Sequence, residues 1–444
     1  MTREAIVLNA ETVRAICLEE GADDAGFVDS ERAALGAERE EIRMVLPGVR
    51  SIISICCRVN PESMRAPPRH YANDETRRVI HDITDVARRI LARLRDEQGV
   101  RGLVPPVSFP MDTSRWPAKM WEVSHKPIAV QAGLGHMGVH RSVIHPKLGS
   151  YILLESILID AVIDRYHQPL ETSPCTNCML CVMACPVGAI SATAPFDVNA
   201  CVTHNYREFL SGFQDWVDDL TNSENAAVYR RNVGEPETLS WWQSLAHGPN
   251  YKSSYCIAVC PAGTDNIGPF REAPRDYLER VVQPLTERRE LVYVMPGSAA
   301  EKAVARHPNK QVRHVRSPRH LRREAGCVIL QRFSRLKADN ITVRPFMMNL
   351  EFTGKEPMDV HLNAMPAWIA VTYRFRNETP SMLRVDSETF LVVFGSPNAG
   401  GFVAGFAWAL LRGRFRYRGK SGVLLSFLRV SLRVLGPSPV MGSV

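Results

Sequence analysis

Hydrophobic positions along the chain change period from stretch to stretch. Within 75–99, Val79, Ile83, Val86, Ile90 and Leu94 recur at three- and four-residue steps and line one face of a long amphipathic helix. In "VRSIISICCRV" (49–59) the apolar residues are β-branched and nearly continuous, which predicts a strand buried on both faces. "SYILLESILID" (150–160) reads as a second strand. Residues 10–20 carry a helical pattern, and "GADDAGFVD" after them turns into a strand. "GVRGLVPPVSFPMD" starts strand-like and ends in proline-rich turns. Helices and strands interleave without a regular βαβ repeat, so residues 1–165 predict an α+β domain.

The texture changes twice further on. Residues 202–250 are a long insertion in which Trp216, Trp241 and Trp242 either cover a site or pack a core. After a basic stretch, "NITVRPFMMNLEF", "DVHLNA" and "WIAVTYRF" read as strands and "SETFLVVFGSP" starts a helix. "RGRFRYRG" is a short alternating strand and "VLLSFLRVSLRVLG" a closing amphipathic helix. The pattern gives four segments: a cofactor or substrate domain (1–165), a cysteine-rich module (166–275), a basic linker (276–334) and a separate α/β domain (335–444).

A chain of 444 residues exceeds one core. Its 45% hydrophobic and 23% charged residues are those of an ordinary globular protein. The net charge of +7 is mild but uneven, with Arg313, Arg316, Arg319 and Arg322 at every third position. That run is either a solvated linker or a patch for an acidic electron donor or a phosphate-bearing substrate. The N-terminus has no basic-then-apolar leader and no twin arginine, and no apolar run approaches ~20 residues, so no transmembrane segment and a cytoplasmic location are expected. Eleven cysteines argue for a reducing compartment. Four of them, Cys17, Cys56, Cys57 and Cys327, fall outside any motif, and Cys56 and Cys57 read as buried strand residues.

The other seven carry chemistry. Cys175, Cys178, Cys181 and Cys185 stand in C-x-x-C-x-x-C-x-x-x-C-P, the spacing that wraps three thiolates around one [4Fe–4S] cube and lends the fourth to a neighbouring cube. Zinc sites favour two separated C-x₂-C hairpins. "YKSSYCIAVCPAG" repeats the tail of the motif with Cys256 and Cys260, but Ser253 stands where its leading cysteine would be. By the crossed-over rule, Cys260 completes the cluster of Cys175, Cys178 and Cys181. Cys185, Cys256 and the nearby Cys201 are left for a second. Its last position falls to Ser253, Ser254, a solvent oxygen or nothing. The expectation is one [4Fe–4S] cluster and a second that is [4Fe–4S] or [3Fe–4S].

"AGLGHMGVH" holds Gly133, Gly135 and Gly138 as G-x-G-x-x-G. A dinucleotide fingerprint needs a strand before it, a helix after it and an acid about 20 residues on. "PIAVQA" is strand-compatible and Glu155 is spaced for the acid, but Pro146 and Gly149 interrupt any following helix.

The segment "SHKPIAVQAGLGHMGVHRSVIHPKLGSYILLESILID" resembles the one that precedes the clusters in epoxyqueuosine reductases and reductive dehalogenases. "LEEGADDAGFVD", "LPGVRSIISI" and the order of the cysteine motifs resemble the same proteins across about residues 5–270. The resemblance implies a nitroreductase-like core with an inserted two-cluster ferredoxin-like module, and cobalamin or another corrinoid held beside the nearer cluster. It assigns Gly133, Gly135, His136 and Gly138 to close approach to that cofactor. Tyr71 and Ala72 match a cofactor-contacting run whose remaining positions differ here. A catalytic acid precedes the glycine loop in those enzymes; Asp112 is the nearest candidate, with Glu122, His125 and, more weakly, Tyr206 in competition. The 335–444 domain is similar to sterol-carrier-type domains, which enclose an apolar tunnel.

Two functions follow as expectations. The first is an iron–sulfur, corrinoid-dependent reductase that takes electrons from reduced ferredoxin or flavodoxin and acts on a small or apolar organic substrate. The second is a non-catalytic ferredoxin-type electron carrier on a degenerate corrinoid fold. Nucleic acid is not favoured by the charge pattern, and tRNA stays open.

Overall fold

The computed structural model describes residues 6–36, 38–108, 123–194, 196–248, 250–315, 345–353, 358–365, 368–372, 379, 381–394 and 398–432. The chain forms two units, Met1–Val294 with Ala300–His314, and Met295–Ala299 with Val315–Val444.

The first unit opens with α1 (Ala10–Glu19), β1 (Asp24–Asp29), β2 (Ser51–Arg58), α2 (Arg69–Gln98) and β3 (Gly102–Leu103), followed by α3 (His125–Gln131) and β4 (Ile152–Ile159). The four strands make one antiparallel sheet in the order β1-β2-β4-β3. Strand alternation explains the continuous apolar run of β2. Ile53, Ile55 and Cys57 join the core under α2, while Ile52 and Cys56 join a second core with Ile128 and Ala129 of α3 and Leu134 of the glycine loop. The sheet therefore has both faces covered.

Helix α2 buries Val79, Ile83, Val86, Ile90 and Leu94, as the periodicity predicts. At about 1.5–3 kcal/mol for each such side chain, that face is worth roughly 10 kcal/mol. The helix ends at Gly99, whose left-handed φ of 69° lets its N–H reach the carbonyls of Arg95 and Leu94. It begins at Arg69, earlier than the predicted residue 75, because its first two turns are polar apart from Ala72 and hide the periodicity. "PIAVQA" is a second correction: it lies in helix α3 and its C-cap, with Ile128, Ala129 and Ala132 all buried. Its β-branched residues fit a short helix because α3 packs flat on the sheet.

The cysteine-rich region adds α4 (Leu180–Ala184), α5 (Val198–His204), α6 (Glu235–His247) and α7 (Tyr255–Ala258). In the insertion, Trp241 is fully buried and stacks on Trp216 at 6.0 Å, whereas Trp242 is exposed. The expected linker starts with folded structure instead. Strands β5 (Glu290–Val294) and β6 (Lys310–His314) pair in parallel within the first unit. The charge density that suggested a linker conceals a buried ion pair: Lys310 Nζ sits 2.7 Å from Glu290 Oε1 and donates to the carbonyls of Leu285 and Arg288. Of the basic run, Arg313 lies in β6, and Arg316, Arg319 and Arg322 lie outside the described residues.

The second unit is a five-stranded sheet of β7 (Phe346–Thr353), β8 (Met358–Met365), β9 (Trp368–Thr372), β10 (Met382–Asp386) and β11 (Phe415–Arg418), with α8 (Ser387–Phe394), α9 (Ala399–Leu411) and α10 (Ser421–Ser431). Its order is β9-β8-β7-β10-β11, with only β7 and β10 parallel. Phe352, Phe390, Phe394, Phe402, Phe406, Phe415 and Phe427 share its core.

Candidate functional site

The two cysteine motifs fold alike. Met179, at the N-cap of α4, and Ser254, at the N-cap of α7, both hold the left-handed conformation, with φ of 60° and 51°. Non-glycine residues rarely adopt it, so the repeat marks one loop geometry used twice. Leu180 and Tyr255, the next residues, are buried in one shared core with Ala184 and Val259. Cys181 aligns with Cys256 and Cys185 with Cys260. Ser253 occupies the backbone position that Cys178 holds in the first loop.

The thiols lie in one another's fields. Burial pushes the Cys181 thiol up to about 12, and Cys256, then Cys260, Cys178 and Cys175, raise it further. Burial likewise pushes Cys256 up to about 12, with Cys185 and Cys201 adding to the shift. Cys201 reaches about 12 by burial and by Cys185. Such thiols have no reason to ionise alone, and a cationic iron centre would supply the missing compensation. The Ala189 N–H points at Cys185 Sγ at 3.3 Å, a donor suited to a cluster thiolate. The Ser150 hydroxyl lies against Cys260. A cluster spreads its thiolates over separate irons, and a donor set of thiols carried on two like loops fits iron–sulfur clusters.

The glycine loop is pressed against the chain itself. A Cβ on Gly133, whose φ is 71°, would lie 2.7 Å from the Gln168 carbonyl oxygen. One on Gly135 would meet the Ile144 carbonyl oxygen at 2.5 Å, and one on Gly138 the Ile144 side chain at 2.6 Å. Internal packing thus accounts for all three glycines. His136 is half-buried, with Nδ1 3.0 Å from the Met137 carbonyl oxygen. Gly149 and Gly263 bring the "PKLG" turn and the "CPAG" loop into backbone contact, where a Cβ on Gly149 would lie 1.9 Å from the Ala262 carbonyl oxygen.

Among the candidate acids, Asp112 and Glu122 lie outside the described residues. His125 is engaged at both nitrogens, Nδ1 with Ser156 Oγ at 3.0 Å and Nε2 with the Pro106 carbonyl at 3.2 Å, and burial lowers its pKa. Glu155 is fully buried and so is closed to a ribose; burial raises its carboxyl to about 8. Tyr71 is 56% exposed in the first turn of α2. Tyr206 forms an aromatic trio with Phe209 and Tyr251 at 5.1–5.6 Å, and burial next to Cys201 holds its phenol well above the usual range. The Tyr251 backbone is tied to α2 through Asn73.

Lys126 is a residue that the sequence reading missed. Desolvation lowers its ammonium, and the thiols of Cys256 and Cys201 oppose that shift. The side chain is exposed, and its Nζ donates to the Arg141 carbonyl at 3.2 Å. Nothing in "SHKPIAV" ties this lysine to Cys201 and Cys256, which lie far away in sequence.

These features define an iron–sulfur protein of mixed helix and strand. The model of the "4Fe-4S binding domain" family matches residues 170–191. The chain resembles the epoxyqueuosine reductases. It is 30% identical over 168 residues to that of Synechococcus sp. (strain RCC307), across 37% of this chain and 48% of the relative. It is 26% identical over 200 residues to that of Cellulophaga algicola, across 40% and 58%. It is 32% identical over 82 residues to that of Escherichia coli (strain K12), across 18% and 21%. The chain therefore spans about half or less of the first of the curated relatives it matches, which are oxidoreductases by name. Solved structures with partial likeness include epoxyqueuosine reductase from Streptococcus thermophilus (16% identity, TM-score 0.32, 48% of this chain and 61% of that one) and a catabolic reductive dehalogenase (16%, 0.37, 62% and 38%). A UbiJ-SCP2 ubiquinone synthesis protein aligns over 26% of this chain and 95% of its own (9%, 0.20).

Proposed function

We propose that the chain is a two-cluster iron–sulfur reductase that passes electrons from reduced ferredoxin or flavodoxin to an organic substrate. What supports this reading is the repeat of the 178–185 loop at 253–260, with Cys175 packed near Cys260 and Cys185 packed with Cys201 and Cys256; the crossed-over rule then gives Cys175, Cys178, Cys181 and Cys260 to one cluster and Cys185, Cys201 and Cys256 to the other. Cys181 senses both sets, so two clusters held there would stand close enough for electron transfer. Lys126 and Tyr206 both lie in the fields of Cys201 and Cys256, which supports placing the substrate on that side of the second set. There Lys126 would attract an anionic group, and the Tyr206 phenol, held protonated by its surroundings, would be the proton donor. Asp112 is the alternative donor.

A corrinoid beside the second set would supply a cobalt centre for reductive cleavage. The order of the cysteine motifs supports that finer reading; the glycines, satisfied by their own chain, do not. Their packing favours the second reading, a ferredoxin-type carrier without cobalamin. Protein loaded with clusters anaerobically and mixed with cobalamin decides between them. Co-elution with a base-off spectrum supports the corrinoid enzyme, and an unchanged spectrum at saturating protein leaves the carrier. The location follows as cytoplasmic from the reducing environment that the thiols need. Among the described residues, no helix is long and apolar enough to cross a membrane. The substrate class proposed is a small or apolar organic molecule; tRNA, present as a modified stem loop in one solved epoxyqueuosine reductase, is the competing class.

A further inference from the structure

Eight ligand positions serve two cubes, and this chain fills seven with cysteine. The eighth is Ser253, fixed in place by the shared loop geometry: Ser253 precedes a left-handed Ser254 as Cys178 precedes a left-handed Met179. A serine there could ligate iron through its oxygen, but this one is committed elsewhere. Its hydroxyl donates to Asn205 Oδ1 at 3.1 Å, and its backbone N–H donates to the same oxygen at 3.0 Å. Ser254 adds its own N–H at 2.9 Å. Ser253 and Asn205 are both buried, so solvent does not compete for these bonds. Asn205 stands one turn after Cys201, and its N–H donates to the Cys201 carbonyl. The residue that ties up the serine is thus anchored to a ligand of the same cluster.

We infer that the second cluster is held by three thiolates, Cys185, Cys201 and Cys256, and that its remaining iron is open to a small exogenous anion. The inference rests on the two-cluster reading above. Lys126 gives the open position its preference: its ammonium, which donates to the Arg141 carbonyl at 3.2 Å, acts electrostatically on Cys256 and Cys201 and favours an anionic ligand over a neutral one. Cys201 and Cys256 are each partly exposed and Lys126 is exposed, which leaves a route in. An iron without a protein ligand is also the one that leaves on oxidation. Ferricyanide takes one electron from the [4Fe–4S]²⁺ state. The resulting [4Fe–4S]³⁺ releases Fe²⁺ and becomes [3Fe–4S]⁺, and ferricyanide leaves as ferrocyanide, so charge and iron balance.

The test uses the full chain, loaded anaerobically and treated with ferricyanide, with iron counted and electron-spin resonance recorded. The inference predicts loss of about one iron in about eight, with a [3Fe–4S] signal. Ser253→Cys keeps that iron and suppresses the signal. Ser253→Ala, which removes only a hydroxyl that does not touch iron, loses iron as the wild type does. Cyanide added to dithionite-reduced protein shifts the spectrum of one cluster in the wild type and of neither in Ser253→Cys. A wild type that keeps all its iron overturns the inference and leaves the two-cluster reading standing. Faster loss from Ser253→Ala than from the wild type also overturns it, because the serine would then be a ligand. A chain that loads only about four irons overturns the two-cluster reading itself.

Discussion

Asn205 and Ser253 are 48 residues apart in sequence and joined by two hydrogen bonds, at 3.0 and 3.1 Å, through a single side-chain oxygen. The pair fixes the loop that carries Cys256. Asn205→Ala strands the buried N–H groups of Ser253 and Ser254, at about 1–3 kcal/mol for each such group. The expected outcome is a melting temperature lowered by several degrees and weaker retention of the second cluster, read by thermal denaturation and iron analysis. An unchanged melt would show that water replaces the oxygen.

Glu155 gives the first unit a pH dependence of known sign. Its carboxyl is raised from 4.5 to about 8, chiefly by burial, so the folded chain keeps a proton that the unfolded chain loses. The stability this contributes is complete below about 4.5 and is lost as pH rises through about 8. At roughly 1.4 kcal/mol per pH unit, the whole window is worth a few kcal/mol. Glu155→Gln flattens that dependence and stabilises the protein at pH 8 relative to wild type, measured by urea denaturation across the range. A parallel pH slope in the variant would contradict the assignment.

Lys126 sets a redox prediction. Its ammonium acts electrostatically on Cys256 and Cys201 and, being exposed, is partly screened by solvent. Lys126→Met therefore lowers the reduction potential of one cluster and leaves the other nearly unmoved, as read by redox titration with electron-spin detection. Equal shifts in both clusters would place the lysine elsewhere.

Much of this was legible in the sequence. The spacing of Cys175 to Cys185 announces a cluster because a tight loop must place each sulfur, and the spacing survives in the fold. The buried strands and α2 follow from local periodicity. What sequence hid depends on tertiary partners. Nothing near Ser253 announces Asn205, and nothing near Lys126 announces Cys201. Helix α3 looks strand-compatible in sequence because Ile128 and Val130 are β-branched and the run is short. The Lys310–Glu290 pair passed for solvated charge because burial of an ion pair leaves no local pattern. The serine-for-cysteine gap was visible, but its meaning needed the backbone match to Cys178.

The 335–444 segment provides an independent check on domain structure. Phe390, Phe394, Phe402, Phe406, Phe415 and Phe427 form a core of their own, and Val403, Trp408 and Leu411 leave apolar surface exposed on α9. The fragment should fold alone, with a cooperative melt, and take up a fluorescent fatty acid. A folded fragment that binds neither fatty acid nor sterol would make the domain an assembly surface instead.

The central claim is that two clusters share these seven thiols, and ligand-by-ligand iron analysis under strict anaerobiosis tests it most directly. The wild type should hold about eight irons, the double variant Cys175→Ala/Cys178→Ala about four and Cys201→Ala about four, with a different cluster signal surviving in each variant. If the wild type holds about four irons and Cys201→Ala changes nothing, Cys185, Cys201 and Cys256 bind no cluster and the account fails.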